Sequence, residues 1–313
     1  MWHALATYEV DGVDKTALVL GNQLFDLASL IGDHGTEEQR SIAGKNTTEI
    51  IKAWDDGNSA IISSLATKLS QLVSSGSVSA VGEGTKCIKA PYEPTQIFGT
   101  ASNFVEHAAE MKTALAAKAD SQPYVFLKAT TSVIGPGEAV IIPYDAEKPD
   151  WEAELAVVIG KGGRRISVND APNHIAGYTI ANDISARDLN RRDDFPFKHD
   201  WFRGKSWDSF CPLGPWFVPA SLIEDPHNVR LGLTLNGETK QDGNTNEMIF
   251  DIYEQIAYLS RIVTLQPGDL IMTGTPAGVG MGSGKFLKDG DQMVAWVDGI
   301  GELENPVLFE EKE

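Results

Sequence analysis

Short apolar runs broken by polar turns open the chain. Ala4 to Val10, Thr16 to Leu20 and Gln23 to Asp26 have strand character and are separated by Asp11-Gly12 and Gly21-Asn22, dipeptides that favour tight reversals. They predict a small β-meander. The apolar period then lengthens. Thr48 to Trp54 and Ala60 to Val73 predict helices, the second with Ile61, Leu65, Leu69 and Leu72 on one face. The tract that follows, SSGSVSAVGEGTK, is too small and polar to pack, so a boundary is expected near residue 85. Residues 1–85 then form a small α+β domain and residues 86–313 a second unit.

Beyond that boundary the chain is rich in short β-type runs. GPGEAVIIP, QPGDLIMTG and KDGDQMVAWVDGIG each place Gly-Glu or Gly-Asp before a strand. Helical periodicity is confined to Val105 to Ala117, Ser185 to Arg192 and Ile249 to Ile262, which are expected to cover a sheet. Without a long repeat or a βαβ alternation, the pattern predicts a β-rich α+β class.

Trp151-Glu152-Ala153-Glu154 runs straight into Leu155-Ala156-Val157-Val158-Ile159, the signature of a buried strand opened by two carboxylates. Alternation sends Glu152 and Glu154 to one face and Ala153 to the other. Two neighbouring buried charges need neutralising, and a hard divalent cation such as Mg2+ or Mn2+ prefers oxygen ligands. Asp183 is a candidate third ligand, because it follows the apolar run Ile175 to Ile180 and so lies at a strand end. A solvated strand edge with Asp183 capping a helix is the alternative for these three residues taken alone.

Composition narrows the choices. The 313 residues are 42% hydrophobic and 22% charged, as in ordinary globular proteins, and no apolar run is long enough for a membrane span. A net charge of −18 opposes binding to nucleic acid. The amino terminus lacks the basic start and apolar stretch of a secretory signal. The two cysteines, Cys87 and Cys211, are far apart and predict packing residues in a reducing, cytoplasmic setting.

From about Ile97 to Pro306, ordered motifs extend the picture. They are Asn103-Phe104-x-x-His107-x-x-Glu110, a Pro-x-x-Phe-x-Lys run ending at Lys128, Trp151-Glu152-Ala153-Glu154-Leu155 and Asn182-Asp183-x-x-Ala186-Arg187-Asp188. Gly204-Lys205-Ser206-x-Asp208-x-Phe210-x-Pro212-x-Gly214-Pro215 follows, and then Pro267-Gly268-Asp269 leading to Thr273-Gly274-Thr275-Pro276-x-Gly278-Val279-Gly280. In this order they resemble the catalytic domain of the fumarylacetoacetate hydrolase superfamily.

The resemblance implies a mixed β-sandwich roll, a homodimer, and Mg2+ or Mn2+ held by Glu152, Glu154 and Asp183. It implies a small 2-oxo or diketo acid substrate bound through its carboxylate and adjacent oxo oxygens. Lys205 would stabilise a developing enolate, and Thr275 would help hold the substrate carboxylate. Lys128, Arg187 and Asn190 are expected at the substrate. Asn190 stands where many relatives have a glutamine, and keeps the amide on a shorter stem. His107 and Glu110, three apart on a predicted helix, can reach one side, where a carboxylate-oriented imidazole could deprotonate water. The reaction implied is metal-dependent hydrolysis of a carbon-carbon bond in an acylpyruvate, with oxaloacetate-type decarboxylation, isomerisation or dehydration as alternatives on one scaffold. The segment RRDDFPFKHDWFRG before Lys205 is long, and His199, Trp201 and Arg203 could line the entrance or merely pack against it.

Other chemistries fit poorly. GVGMGSGK has Val279 where a phosphate loop needs glycine, and Phe286 where serine or threonine should follow its lysine. The remaining histidines lack zinc spacing, and no GxSxG elbow is present.

Overall fold

A computed structural model of the chain describes residues 1–85, 88–112 and 117–311. Cys87 and part of the helix expected over Val105 to Ala117 lie outside them. The meander forms as β1 (Ala4–Val10), β2 (Val13–Leu20) and β3 (Gln23–Asp26), an antiparallel ladder with Ala4 opposite Val19 and Leu20 opposite Gln23. Helix α1 (Leu27–His34), which the pattern did not predict, starts directly after it, where the Asp26 carboxylate accepts the Ser29 N–H at 2.7 Å. A reciprocal Asn46–Glu49 capping box opens α2 (Thr47–Lys52). That helix stops before Trp54, and a wide turn through Gly57, at φ 108°, leads to α3 (Ser59–Ser74). The two-residue β4 (Gly82–Glu83) pairs with β3.

The second half begins with β5 (Ile97–Ala101), α4 (Val105–Glu110), β6 (Tyr124–Lys128), β7 (Val133–Ile134) and β8 (Val140–Ile142). Next come β9 (Pro149–Asp150), β10 (Ala153–Ile159), β11 (Ile175–Asn182), β12 (Ser185–Ala186), α5 (Trp201–Lys205) and β13 (Cys211–Pro219). The chain closes with β14 (Arg230–Leu235), β15 (Glu238–Asn244), α6 (Ile252–Ile262), β16 (Leu270–Met272), α7 (Gly280–Ser283), β17 (Gln292–Val297) and β18 (Gly301–Phe309).

One large mixed sheet runs β4-β3-β2-β1-β13-β11-β10-β16-β5-β6, with β7 paired to β13. A second runs β15-β14-β17-β18-β8 and packs over β10, β11 and β13. Alternation along β10 builds the layers. Leu155, Val157 and Ile159 meet Leu231, Met293 and Val297 between the sheets, whereas Ala156 and Val158 face the layer of α1, α2 and α3, where Ile31, Ile51 and Leu65 are buried. The meander is continuous with this structure: β1 pairs with β13, Leu5 opposite Phe217, so chain on both sides of residue 85 shares one sheet and one core. Cys211 packs there as a buried thiol whose pKa burial pushes up to about 12.

The helix expected over Ser185 to Arg192 does not form. Ser185 and Ala186 pair instead with Asp150 and Pro149, and the Asp188 carboxylate accepts the N–H groups of Glu147 and Lys148. Backbone and side-chain partners across the site outcompete local helical bonding. Among the described residues, no helix is long and apolar enough to cross a membrane.

Candidate active site

The acidic strand delivers what its alternation predicts. Glu152 and Glu154 project together, Asp183 follows the last residue of the neighbouring β11, and one oxygen from each lies within 4.8 Å of the others. All three side chains are buried. The Lys205 ammonium, on the last residue of α5, bridges Glu152 and Asp183 at 2.5 Å each. The Lys128 ammonium donates to the other Asp183 oxygen at 2.6 Å and to the Ile184 carbonyl. Arg187 donates through Nε to Asp150 at 2.8 Å and through Nη2 to Glu152 at 2.6 Å.

Counted as ionised, four carboxylates (Asp150, Glu152, Glu154 and Asp183) face three cations (Lys128, Arg187 and Lys205). The surplus falls on Glu154, whose carboxylate accepts only the Gly274 N–H, at 2.6 Å, among the described residues. Burial, reinforced by the charges of Asp183 and Glu152, holds its pKa well above the ordinary carboxylate value. Glu152 goes the other way. Burial opposes its ionisation, but Arg187 and Lys205 outweigh that and lower its pKa. Lys205 shows the complementary shift: burial and the nearby Arg187 charge disfavour its ammonium, but Asp183 and Glu152 outweigh them and raise its pKa. An all-oxygen, closely spaced, buried set with one uncompensated carboxylate fits a hard divalent cation such as Mg2+ or Mn2+.

His107 and Glu110 come to the same place from α4. Asn103 fixes the start of that helix: its amide donates to the carbonyls of Thr273 and Phe250, and its oxygen accepts the Phe250 N–H. His107 is buried, its Nε2 3.9 Å from Glu152 Oε1 and its Nδ1 3.6 Å from Glu110 Oε2. The second distance exceeds a direct hydrogen bond, so orientation by Glu110 requires a bridging water or a small closure. Burial lowers the His107 pKa, against the raising effect of the Glu152 charge, and favours the neutral, proton-accepting form near pH 7. Glu110 accepts the Gly278 N–H at 3.1 and 3.2 Å. It also lies so close to Gly282 that a Cβ there would sit 2.1 Å from its oxygen, so any side chain at this position would displace the Glu110 carboxylate.

A cavity of about 370 Å3 opens onto this cluster. Its inner end is lined by His107, Glu152, Glu154, Arg187, Lys205 and Thr275, and its outer wall by Met111, Tyr124, Phe126 and Trp201. The Thr275 hydroxyl donates to the Ala153 carbonyl at 2.8 Å and accepts from Gln241 at 2.7 Å, an anchored position on the wall. Two residues expected at the substrate are not brought to the cavity. Lys128 is buried against Asp183, where it holds that carboxylate and does not line the cavity. Asn190 is held away from the wall, its amide oxygen packed against Gly204. Arg187 does reach the wall, with two of its nitrogens committed to Asp150 and Glu152. Of the long segment before Lys205, Trp201 lines the cavity; His199 and Arg203 do not.

Sequence reasoning missed two supporting residues. Asp150, fully buried, accepts from the backbone N–H groups of Gly280 and Met281 and from Arg187, so it ties the glycine loop that holds Glu110 to the guanidinium that holds Glu152. A signal existed: Asp150 lies two positions before Glu152. Gln241 accepts the Ala153 N–H and donates to Thr275 and to the Pro276 carbonyl. Its place in the polar run KQDGNTNE carried no such signal.

Comparison with known proteins agrees with this geometry. Residues 96–308 match the family described as fumarylacetoacetate (FAA) hydrolase C-terminal. The chain is 41% identical over 217 residues to the human mitochondrial oxaloacetate tautomerase FAHD2A, spanning 69% of this chain and 67% of that protein. Among solved structures, fumarylacetoacetate hydrolase from Exiguobacterium antarcticum superposes with a TM-score of 0.75 at 29% identity, covering 98% of this chain and all of that one. A 2-hydroxyhepta-2,4-diene-1,7-dioate isomerase from Mycobacterium marinum does so with a TM-score of 0.62 at 36% identity, over 72% of this chain and 79% of its own. With its motifs, fold and acidic cluster all in place, the chain belongs to the fumarylacetoacetate hydrolase family.

Proposed function

We propose that this protein hydrolyses a carbon-carbon bond in a 2,4-dioxo acid, an acylpyruvate, with His107 as general base. The observation that carries the reading is a buried imidazole 3.6 Å from the Glu110 carboxylate and 3.9 Å from a metal-type acid cluster, lining a cavity of about 370 Å3. Glu152, Glu154 and Asp183 would hold a divalent cation, which supplies positive charge that polarises the substrate's oxo group and stabilises an enolate.

His107 takes a proton from water, and the resulting hydroxide adds to the distal carbonyl carbon. The bond from that carbon to C3 breaks, leaving its electron pair on the pyruvate fragment as an enolate. Lys205 contributes its charge near the enolate oxygen, and the proton on His107 returns to C3. One water is consumed, and pyruvate and a carboxylic acid are released. Glu110, fixed by Gly278, stabilises the imidazolium formed in between.

The tautomerase relative at 41% identity favours a second reading, in which the same base shuttles a proton between C3 and the enol oxygen with no water added. Mn2+-loaded protein offered an acylpyruvate and, separately, the enol form of oxaloacetate separates the two. Release of pyruvate and a free acid, reduced about 10²- to 10⁴-fold in His107→Ala, is the expected outcome. Ketonisation of oxaloacetate without cleavage of any acylpyruvate would sink hydrolysis and leave the tautomerase reading standing.

A further inference from the structure

The two ends of the cavity differ in kind. Its only cationic lining residues, among those described, are Arg187 and Lys205, and each already binds two carboxylates at the inner end. The outer wall carries three aromatic rings beside Met111, and Thr100, Ala101 and Ser102 complete the lining. Trp201 stacks on Phe126 with ring centroids 5.3 Å apart at 27°, and lies 5.5 Å from Tyr124. Phe126 is seated over Gly99, where a Cβ would come within 2.3 Å of the ring. Its ring also lies 5.0 Å from the Lys205 ammonium, which fixes the panel relative to the acid cluster. Tyr124 remains 57% exposed and Trp201 partly so.

Such a panel gains from being covered by apolar area and offers a carboxylate no cation, only the neutral donors of Ser102, Tyr124 and Trp201. Ring faces carry negative electrostatic potential, and a carboxylate pressed against them loses water without gaining a counterion. A short diacid would also leave the outer part of the cavity unfilled.

We propose that Tyr124, Phe126 and Trp201 form an acyl subsite that selects 2-oxo acids carrying an apolar, ring-sized distal group, and disfavours those carrying a second carboxylate. This rests on the 2-oxo acid reading above but not on which bond is broken. The subsite sets the protein apart from a relative whose name specifies a dioate substrate and from one that acts on oxaloacetate.

Calorimetry on the full chain loaded with Mn2+ tests it without turnover, using three uncleavable acids: 2-oxo-4-phenylbutanoate, 2-oxopentanoate and 2-oxoglutarate. The phenyl acid is expected to bind about tenfold or more tighter than the propyl acid, and the diacid weakest. Trp201→Ala, checked for an unchanged melting temperature, should collapse the phenyl-to-propyl ratio towards one. Tyr124→Ala, which removes a more exposed ring, should reduce it if Trp201→Ala fails to fold. Diacid binding as tight as the phenyl acid, or a ratio untouched by both variants, overturns the subsite. Binding of none of the three overturns the 2-oxo acid reading itself, and normal binding order without cleavage of any acylpyruvate overturns only the hydrolysis.

Discussion

Arg187 and the Arg191–Arg192 pair stand almost side by side in the chain, each close to aspartates, yet the structure uses them oppositely. Arg187 is turned inward, its fork shared between Asp150 and Glu152, both buried. Arg191 and Arg192 pair with Asp193, Asp194 and Asp200 on a surface loop. Exposed pairs of this kind are screened and lose side-chain freedom, so they add little to stability. The inward network is unscreened, and each member left without its partner is costly. Identity and spacing of charges do not distinguish the two regions. Burial does.

The sharpest way to break that contrast is Asp183→Ala. It strands the Lys128 ammonium and removes one of the two partners of Lys205. Urea unfolding should show a loss of about 3–5 kcal/mol, and Mn2+ binding should disappear from a calorimetric titration. A loss below about 1 kcal/mol would mean that the network behaves like the surface loop. Arg187→Lys keeps the charge but replaces two fixed nitrogens of a planar fork with one ammonium on a shorter stem, which cannot reach Asp150 and Glu152 in the same geometry, so about 1.5–3 kcal/mol should be lost. Unchanged stability there would show that the bidentate geometry is dispensable.

The third test concerns protons. The Glu154 pKa is raised, so without a cation the carboxyl keeps its proton to higher pH than usual, and loading a cation expels it. Metal affinity should therefore fall as pH falls, by up to about tenfold per pH unit below that pKa. Titrations in buffers of different ionisation enthalpy should report the released proton. Affinity independent of pH would remove Glu154 from the ligand set. The smallest effect is expected outside the network, where Arg192→Ala should leave the urea midpoint unchanged within error at physiological salt. A clear shift would show that the loop's pairs hold Trp201 and α5 in place.

The acid cluster was legible in part because the placing of its two glutamates depends on a local rule. Strand alternation put Glu152 and Glu154 on one face, whereas Asp183 was a candidate at a strand end that the family resemblance, and then the pairing of β10 with β11, joined to them. The pairing of His107 with Glu110 was also local, a matter of helical spacing. Misreadings occurred where distant partners intervened. The periodicity of Ser185 to Arg192 suggested a helix until Asp150, Glu147 and Lys148 claimed its backbone and side chains. Lys128 was recognised by its motif, but only the packing of β6 against the site shows that its ammonium is buried against Asp183 and does not line the cavity.

Neighbouring residues and short-range periodicity encode the strands, the shared face of Glu152 and Glu154, and the motifs that carry the family's chemical vocabulary. Tertiary structure alone decided that the amino-terminal meander extends the central sheet, that Asp150 and Gln241 brace the site, and that an aromatic panel faces the acids across one cavity. Those outcomes depend on register and contact between segments far apart in the chain, and no local pattern records which distant surface a side chain will meet.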